Sequence, residues 1–196
     1  MAKIERIKKS ARGKDLKCSK CGNPINVGDE YLKATPYKRP PIIRCVACGL
    51  KSYETSGSEY IRECGALVED WQDNFSADES GRDEIVSVLE GLRDQCQDSL
   101  DNMPENLQEG DTGQMLQDRI DNLESVIDEL NEIDYDTCRD EAGEEVTANM
   151  GENYDPDSGE YESEDEWQTA REEAVDDETE NKFIEKIDEA LGQLEY

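Results

Sequence analysis

Two stretches of the chain repeat apolar residues at the spacing of a coiled-coil seam. Ile85, Leu89, Leu92, Cys96, Ser99 and Met103 step by 4, 3, 4, 3 and 4 residues. Leu116, Ile120, Leu123, Ile127 and Leu130 step by 4, 3, 4 and 3, with Val126 and Ile133 beside the seam. This period lines each set along one face of a helix. Pro104 stops the first helix, and Glu109-Gly110-Asp111-Thr112-Gly113 reads as a turn. Two seams of matching length joined by a short Pro/Gly loop predict an antiparallel helical hairpin. The same heptads also allow closure on a second copy, as a homodimer.

Apolar residues recur at helical spacing on either side of the hairpin. Ile61, Cys64, Leu67, Val68, Trp71 and Phe75 share a face after a hinge at 51–58, whose last residue, Ser58, suits an N-cap. Cys138, Ala142, Val146 and Met150 form a shorter stripe, weakened by Gly143. Residues 151–162 read as a loop, and Ser163-Glu164-Asp165-Glu166 as a capping box. Trp167, Ala170 and Ala174 lie on one side of the helix that follows. Ile184, Ile187, Leu191 and Leu194 form a last stripe, turned by roughly 100° from the first on a straight helix. Either this helix breaks near Asp176–Thr179 or it offers two faces to two neighbours.

The first third has a different pattern. Asn23-Pro24-Ile25-Asn26-Val27 and Tyr31-Leu32 flank a turn at Gly28-Asp29. Pro36, Pro40 and Pro41 mark a loop, and Ile42-Ile43-Arg44 leads on as a strand. Short strands here and helices beyond give the expected fold class: mostly α, with a small N-terminal β ribbon and an elongated acidic helical bundle or hairpin. The expected divisions are an arm at 1–17, a ribbon at 18–58, helices at 59–150, a loop at 151–162, and a C-terminal helix or helices at 163–196.

Charge sharpens this division. Residues 1–62 hold 14 Lys/Arg and 6 Asp/Glu, a net of +8, whereas residues 63–196 hold 7 and 45, a net of −38. Halves of opposite sign attract opposite partners. Residues 1–17 carry seven Lys/Arg and read as an arm or a first short strand. Such an arm suits phosphates or the chain's own acidic half. From Glu160 to Glu180 there are 11 acids and one Arg. On a helix that is about one carboxylate every 3 Å, so two such helices approach the ~1.7 Å charge spacing of duplex DNA. The plainer reading of the same run is a solvated, solubilising face. Residues 1–20 contain no apolar leader and no apolar run reaches the ~20 residues of a membrane span, so a cytoplasmic protein is expected.

The chemistry lies in the cysteines. Cys18-Ser19-Lys20-Cys21-Gly22 and Cys45-Val46-Ala47-Cys48-Gly49 are two C-x2-C-G knuckles, the spacing of a four-thiolate zinc site. The glycine after each second cysteine permits the tight turn of a knuckle. So polar a segment has little core of its own, and structural zinc, at about 10–16 kcal/mol of apparent binding free energy, can replace one. The alternative, a redox C-x-x-C, calls for a βαβ context that the pattern lacks. Zinc is therefore expected on Cys18, Cys21, Cys45 and Cys48, with all four positions filled and none open to a substrate. Cys64, Cys96 and Cys138 read as buried thiols, and Trp71 and Trp167 as core anchors.

No catalytic constellation emerges. The chain has no histidine, and paired acids such as Glu172-Glu173 and Asp176-Asp177 arise by chance in so acidic a sequence. Asp155, Asp157 and Glu160 recur at short spacing but lack the EF-hand pattern.

The start Met1-Ala2-Lys3-Ile4-Glu5-Arg6, the first knuckle, Gly28-Asp29-Glu30-Tyr31, Arg44-Cys45 and the Ser52–Ser58 stretch together resemble a type of small bacteriophage-encoded zinc-ribbon protein with an acidic helical C-terminal region. The likeness covers about the first third. It implies a phage setting, hence a host cytoplasm, and four zinc ligands, without implying a mechanism. The expected function is a non-enzymatic binding protein that presents an acidic helical surface to a basic protein partner. One alternative is a nucleic-acid mimic that inhibits a host nucleic-acid-binding enzyme. Another is a nucleic-acid-binding adaptor acting through residues 1–51. No membrane partner is expected.

Overall fold

The computed structural model describes residues 2–8, 16–157 and 161–196. It is mostly helical, with a small N-terminal sheet, as the periodicity leads one to expect. The five strands are β1 (Glu5–Ile7), β2 (Leu16–Lys17), β3 (Pro24–Ile25), β4 (Tyr31–Ala34) and β5 (Ile42–Cys45). The helices are α1 (Glu59–Asn74), α2 (Glu79–Asp101), α3 (Glu105–Gln108), α4 (Asp111–Glu132), α5 (Tyr135–Met150) and α6 (Glu164–Leu191). The chain divides into two units inside α1, between Asp70 and Trp71, with Tyr196 grouped with the first.

In the first unit β4 is central. It pairs antiparallel with β1 (Arg6 opposite Leu32) and with β5 (Leu32 opposite Arg44), while β2 and β3 form a separate two-stranded ladder. Within the stretch read as an arm or a first short strand, Glu5–Ile7 is an edge strand, and Arg6 forks onto Glu30 at 2.7 and 3.0 Å. Residues 9–15 of that arm lie outside the described residues. The stretch 51–58 is not a hinge. Tyr53–Thr55 form a 3-10 turn, and Tyr53, Thr55 and Ser56 are all buried. The Thr55 hydroxyl donates to the carbonyls of Ser52 (2.7 Å) and Ala2 (3.1 Å), so a polar-looking segment is anchored by bonds the periodicity cannot reveal.

In the second unit α2 lies along α4, and Arg82 at the start of α2 donates to the carbonyl of Ile133 just past α4, which makes the pair antiparallel. Ile85, Leu89, Leu92 and Cys96 are buried against Leu116, Ile120, Leu123, Ile127 and Leu130. Ser99 is exposed and Met103 half-buried, so the first seam ends one turn early. The Ser99 hydroxyl instead donates to the Gln95 carbonyl at 2.7 Å. The connection is tighter than the sequence suggests. α3 fills 105–108, and Asp111–Gly113, expected to turn, already belong to α4.

Two glycines make these helix starts. A Cβ on Gly81 would lie 1.9 Å from the Ser76 carbonyl oxygen, and one on Gly113 would lie 1.9 Å from that of Gln108. In both cases the glycine is third in its helix and the carbonyl belongs to the residue two before the N-cap, Asp78 or Gly110. The entering chain folds back over the first turn where only hydrogen fits.

α5 and α6 pack antiparallel. Lys186 reaches Glu141 (2.9 Å), and Lys182 reaches Glu145 (2.7 Å). α6 is unbroken from Glu164 to Leu191, which settles the sequence ambiguity in favour of one helix. Trp167, Thr179, Phe183, Ile187, Ala190 and Leu191 are its buried residues. Thr179 survives burial because its hydroxyl donates to the Val175 carbonyl at 2.5 Å. Phe183 packs edge-on to Tyr135, with ring centroids 5.4 Å apart. Ser163 caps the helix by accepting from the Glu166 N–H at 3.2 Å, and Glu166 returns a bond to the N–H of Glu162.

Both tryptophans are buried, as are Cys64, Cys96 and Cys138. Trp71 Nε1 donates to Asp188 at 2.5 Å, giving a core anchor its polar partner. The hairpin acids Asp94, Asp98, Asp101, Asp118, Asp121, Glu124 and Asp128 are exposed, and Glu129 is half-buried.

Candidate metal centre

β2 delivers the chain into Cys18, and β5 ends on Cys45, so two strands position the two knuckles. In the first, the Gly22 N–H donates to the Cys18 carbonyl at 2.9 Å, and Cys18 N–H donates to Asn23 at 2.9 Å. In the second, the Gly49 N–H donates to Val46 at 3.3 Å. Gly22 and Gly49 have φ of 72° and 65°, the left-handed region that glycine enters without penalty. Nothing lies within 4 Å of a Cβ built on either one. Backbone angle, not space, is why glycine follows each second cysteine.

The knuckles are joined directly. The Ser19 N–H and hydroxyl both donate to the Ile43 carbonyl, at 2.8 and 2.7 Å. Arg44 then donates to Ser19 Oγ and to Glu54, each at 2.5 Å. Glu54 in turn accepts the Lys51 N–H at 2.8 Å. This Ser19–Arg44–Glu54 clamp was not legible as such in the sequence. Its nearest signal is an arginine directly before a knuckle.

The result is a cluster. The Sγ atoms of Cys18, Cys21, Cys45 and Cys48 all lie within 4.8 Å of one another, and Cys21 and Cys45 are 3.9 Å apart. A tetrahedral ion with metal–sulfur bonds of about 2.3 Å would set its sulfurs about 3.8 Å apart. The four residues singled out by spacing are therefore the four brought together, and their geometry is compatible with a zinc-binding site.

Electrostatics agrees with a cationic occupant. Burial opposes ionisation of Cys18, but N–H groups of Cys21, Cys45 and Lys20 aimed at its sulfur outweigh that and bring the thiol down to about 6. Cys48 is pushed up to about 12, chiefly by bonds with Cys45 and Cys21, with burial adding to them. Cys18 thus ionises readily while Cys48 is held as a thiol by bonds with its neighbours, and charge on Cys18 adds to that resistance. A divalent cation offsets that charge.

The remaining titratable groups build no comparable centre among the described residues. A groove of about 670 Å³ between α5 and α6 is lined by Arg139, Gly143, Thr147 and Arg171. Both cations are engaged there, Arg139 with Asp176 at 3.1 Å and Arg171 with Thr147 at 2.8 Å. Glu160, part of the Asp155–Asp157 acid grouping, lies outside the described residues. No helix is long and apolar enough to cross a membrane, among the described residues. Comparison with protein-family models, with curated proteins and with solved structures gives no match.

Proposed function

We propose that the protein is a non-enzymatic binding protein in which a zinc ribbon carries an acidic helical surface for a basic protein partner. The observation that carries this reading is the placement of the acids. Leucine, isoleucine and valine close the α2–α4 seam, and the carboxylates of both helices stand on the opposite, exposed faces. Packed helices hold these charges in a fixed array, the form that favours specific recognition over general solubility. Zinc on Cys18, Cys21, Cys45 and Cys48 has a structural role in this proposal, replacing a core the ribbon lacks. The likeness of the first third to phage proteins points to a host protein as the partner.

Nucleic-acid mimicry is the second reading, and it is favoured by the continuity of α6. An unbroken helix carries the run from Glu164 to Glu180 as a regular series, where a broken one would scatter it.

The test compares the immobilised full chain with a variant in which Asp98 of α2 and Asp118, Glu124 and Asp128 of α4, all exposed, become Asn or Gln. A basic protein retained from host extract by the wild type, released by salt and lost with the variant supports an acidic recognition surface. Equal retention by both proteins sinks it. Competition of the retained protein by duplex DNA separates mimicry from the first reading.

A further inference from the structure

The loop between β4 and β5 has a side chain that folding does not use. Tyr37 is 80% exposed, the most exposed large hydrophobic side chain among the described residues. Its neighbours hold it there. Pro36 is buried, Pro40 and Pro41 close the loop, and the Arg39 N–H donates to the Pro36 carbonyl at 3.3 Å, completing a turn over Tyr37 and Lys38. Arg39 also ties the turn inward, donating from Nη1 to the Ser56 carbonyl at 3.1 Å. Lys38, the third residue of that turn, has φ of 56°. It is the sole non-glycine residue with positive φ among those described, at a position where such turns take glycine or asparagine. A strained lysine at the tip of a pinned turn is the kind of outlier that marks a functional position.

Much of the positive charge of this unit lies outside its salt bridges. Arg6, Arg44 and Lys51 form salt bridges inside the unit. Lys3, Lys8, Lys17, Lys20, Lys33 and Lys38 form none among the described residues. Lys38 Nζ sits 5.2 Å from the Tyr37 ring centroid, a cation against one face of an otherwise open ring. Lys33 lies four residues before Tyr37 on β4, opposite Glu5.

We infer that the Tyr37 turn is a stacking platform for an unpaired base of a single-stranded nucleic acid, with Lys33 and Lys38 contacting the adjoining phosphates. An exposed aromatic on a rigid turn supplies a face that any base can stack on, and the lysines supply the counter-charge. A duplex presents its phosphates but keeps its bases stacked, so it satisfies only half of this site. The inference goes beyond the acidic-surface reading and is independent of it, since it uses the oppositely charged part of the chain.

The test is fluorescence anisotropy of the full, zinc-loaded chain with labelled oligothymidylate and oligouridylate of about 12 nucleotides, within the range of single-strand site sizes, and with a matched duplex. The expected result is binding of a single strand in preference to the duplex, weakened about 5- to 100-fold by Tyr37→Ala, the usual range for losing one stacked base. Lys38→Gly should weaken binding while raising the thermal midpoint, because it removes the cation and relieves the backbone strain together. Absence of single-strand binding, equal or tighter duplex binding, or an unchanged affinity for Tyr37→Ala overturns the inference. Tyr37 has almost no buried surface to lose, so its replacement leaves the fold available for the measurement.

Discussion

The Tyr53 hydroxyl donates to one carboxylate oxygen of Asp70 while Lys51 Nζ lies 2.6 Å from the other. Asp70, on α1, thereby fixes the start of the 3-10 segment that follows the second knuckle. Burial alone would raise the Asp70 carboxyl, but the bonds from Lys51 and Tyr53 more than reverse this and hold it below the usual range. An acid depressed in the folded state stabilises above its unfolded pKa of about 3.9, and that stabilisation disappears as pH falls through the lower folded value. Asp70→Asn should therefore cost about 1–2 kcal/mol at neutral pH, discounting the partly exposed Lys51, with the gap to wild type closing below about pH 3. Urea melts of both proteins across acid pH check this.

The metal centre predicts an asymmetric response to chelation. With zinc bound as proposed, its removal, or Cys21→Ser or Cys45→Ser, should collapse the amide dispersion of residues 16–50. Helical ellipticity should be largely retained, since the seams of α2, α4, α5 and α6 contain none of the four thiolates. The expected loss is on the scale of structural zinc binding, about 10 kcal/mol, and so is all-or-none for the cysteine-bearing segment. Metal analysis of the purified chain should return one zinc per molecule, and none for either variant.

The glycines of the helical unit should split into two opposite groups. Gly91 and Gly143 sit in helix interiors with nothing within 4 Å of a built Cβ, so alanine there should stabilise by about 0.5–1 kcal/mol. Gly81→Ala and Gly113→Ala meet a backbone carbonyl at 1.9 Å and should destabilise by about 2 kcal/mol or more. Thermal melts of the four single variants test the contrast directly.

Asp78 caps α2, accepting from the Gly81 N–H at 2.9 Å and from the Ser76 hydroxyl at 2.7 Å. Asp78→Ala should cost about 1 kcal/mol. The Gly81 bond is the main cause of its lowered pKa, so the cap acts above about pH 4 and weakens as the pH falls through the folded value. Asp78→Ser, which keeps an acceptor without the charge, should recover most of the loss and remove its pH dependence.

Sequence and structure agree where one physical rule decides alone. The α2–α4 seam and the four-cysteine cluster were both legible, because heptad spacing and knuckle spacing leave few alternatives. The disagreements arise where two rules compete. Asp111-Thr112-Gly113 has turn composition, yet Gly113 serves a helix start by admitting the Gln108 carbonyl. The 51–58 stretch has linker composition, yet Tyr53 and Thr55 are buried because particular partners, Asp70 and Ala2, satisfy their hydroxyls. In α6 the stripe drawn through Ile184 runs through Phe183 instead, and Ile184 is only half-buried. A regular period cannot register a one-residue shift of this kind.

The cations of the α5–α6 pair have a further consequence. Arg171, Lys182 and Lys186 are the only positive charges on α6, and each reaches across to α5; Arg139, the only one on α5, reaches back. Three of these four cations pair with carboxylates across the seam, and Arg171 is held by the Thr147 hydroxyl. The exposed faces are left predominantly negative, and two such faces on different molecules repel at separations shorter than the screening length, about 8 Å at physiological salt. Repulsion between copies through these faces should therefore strengthen as salt is lowered.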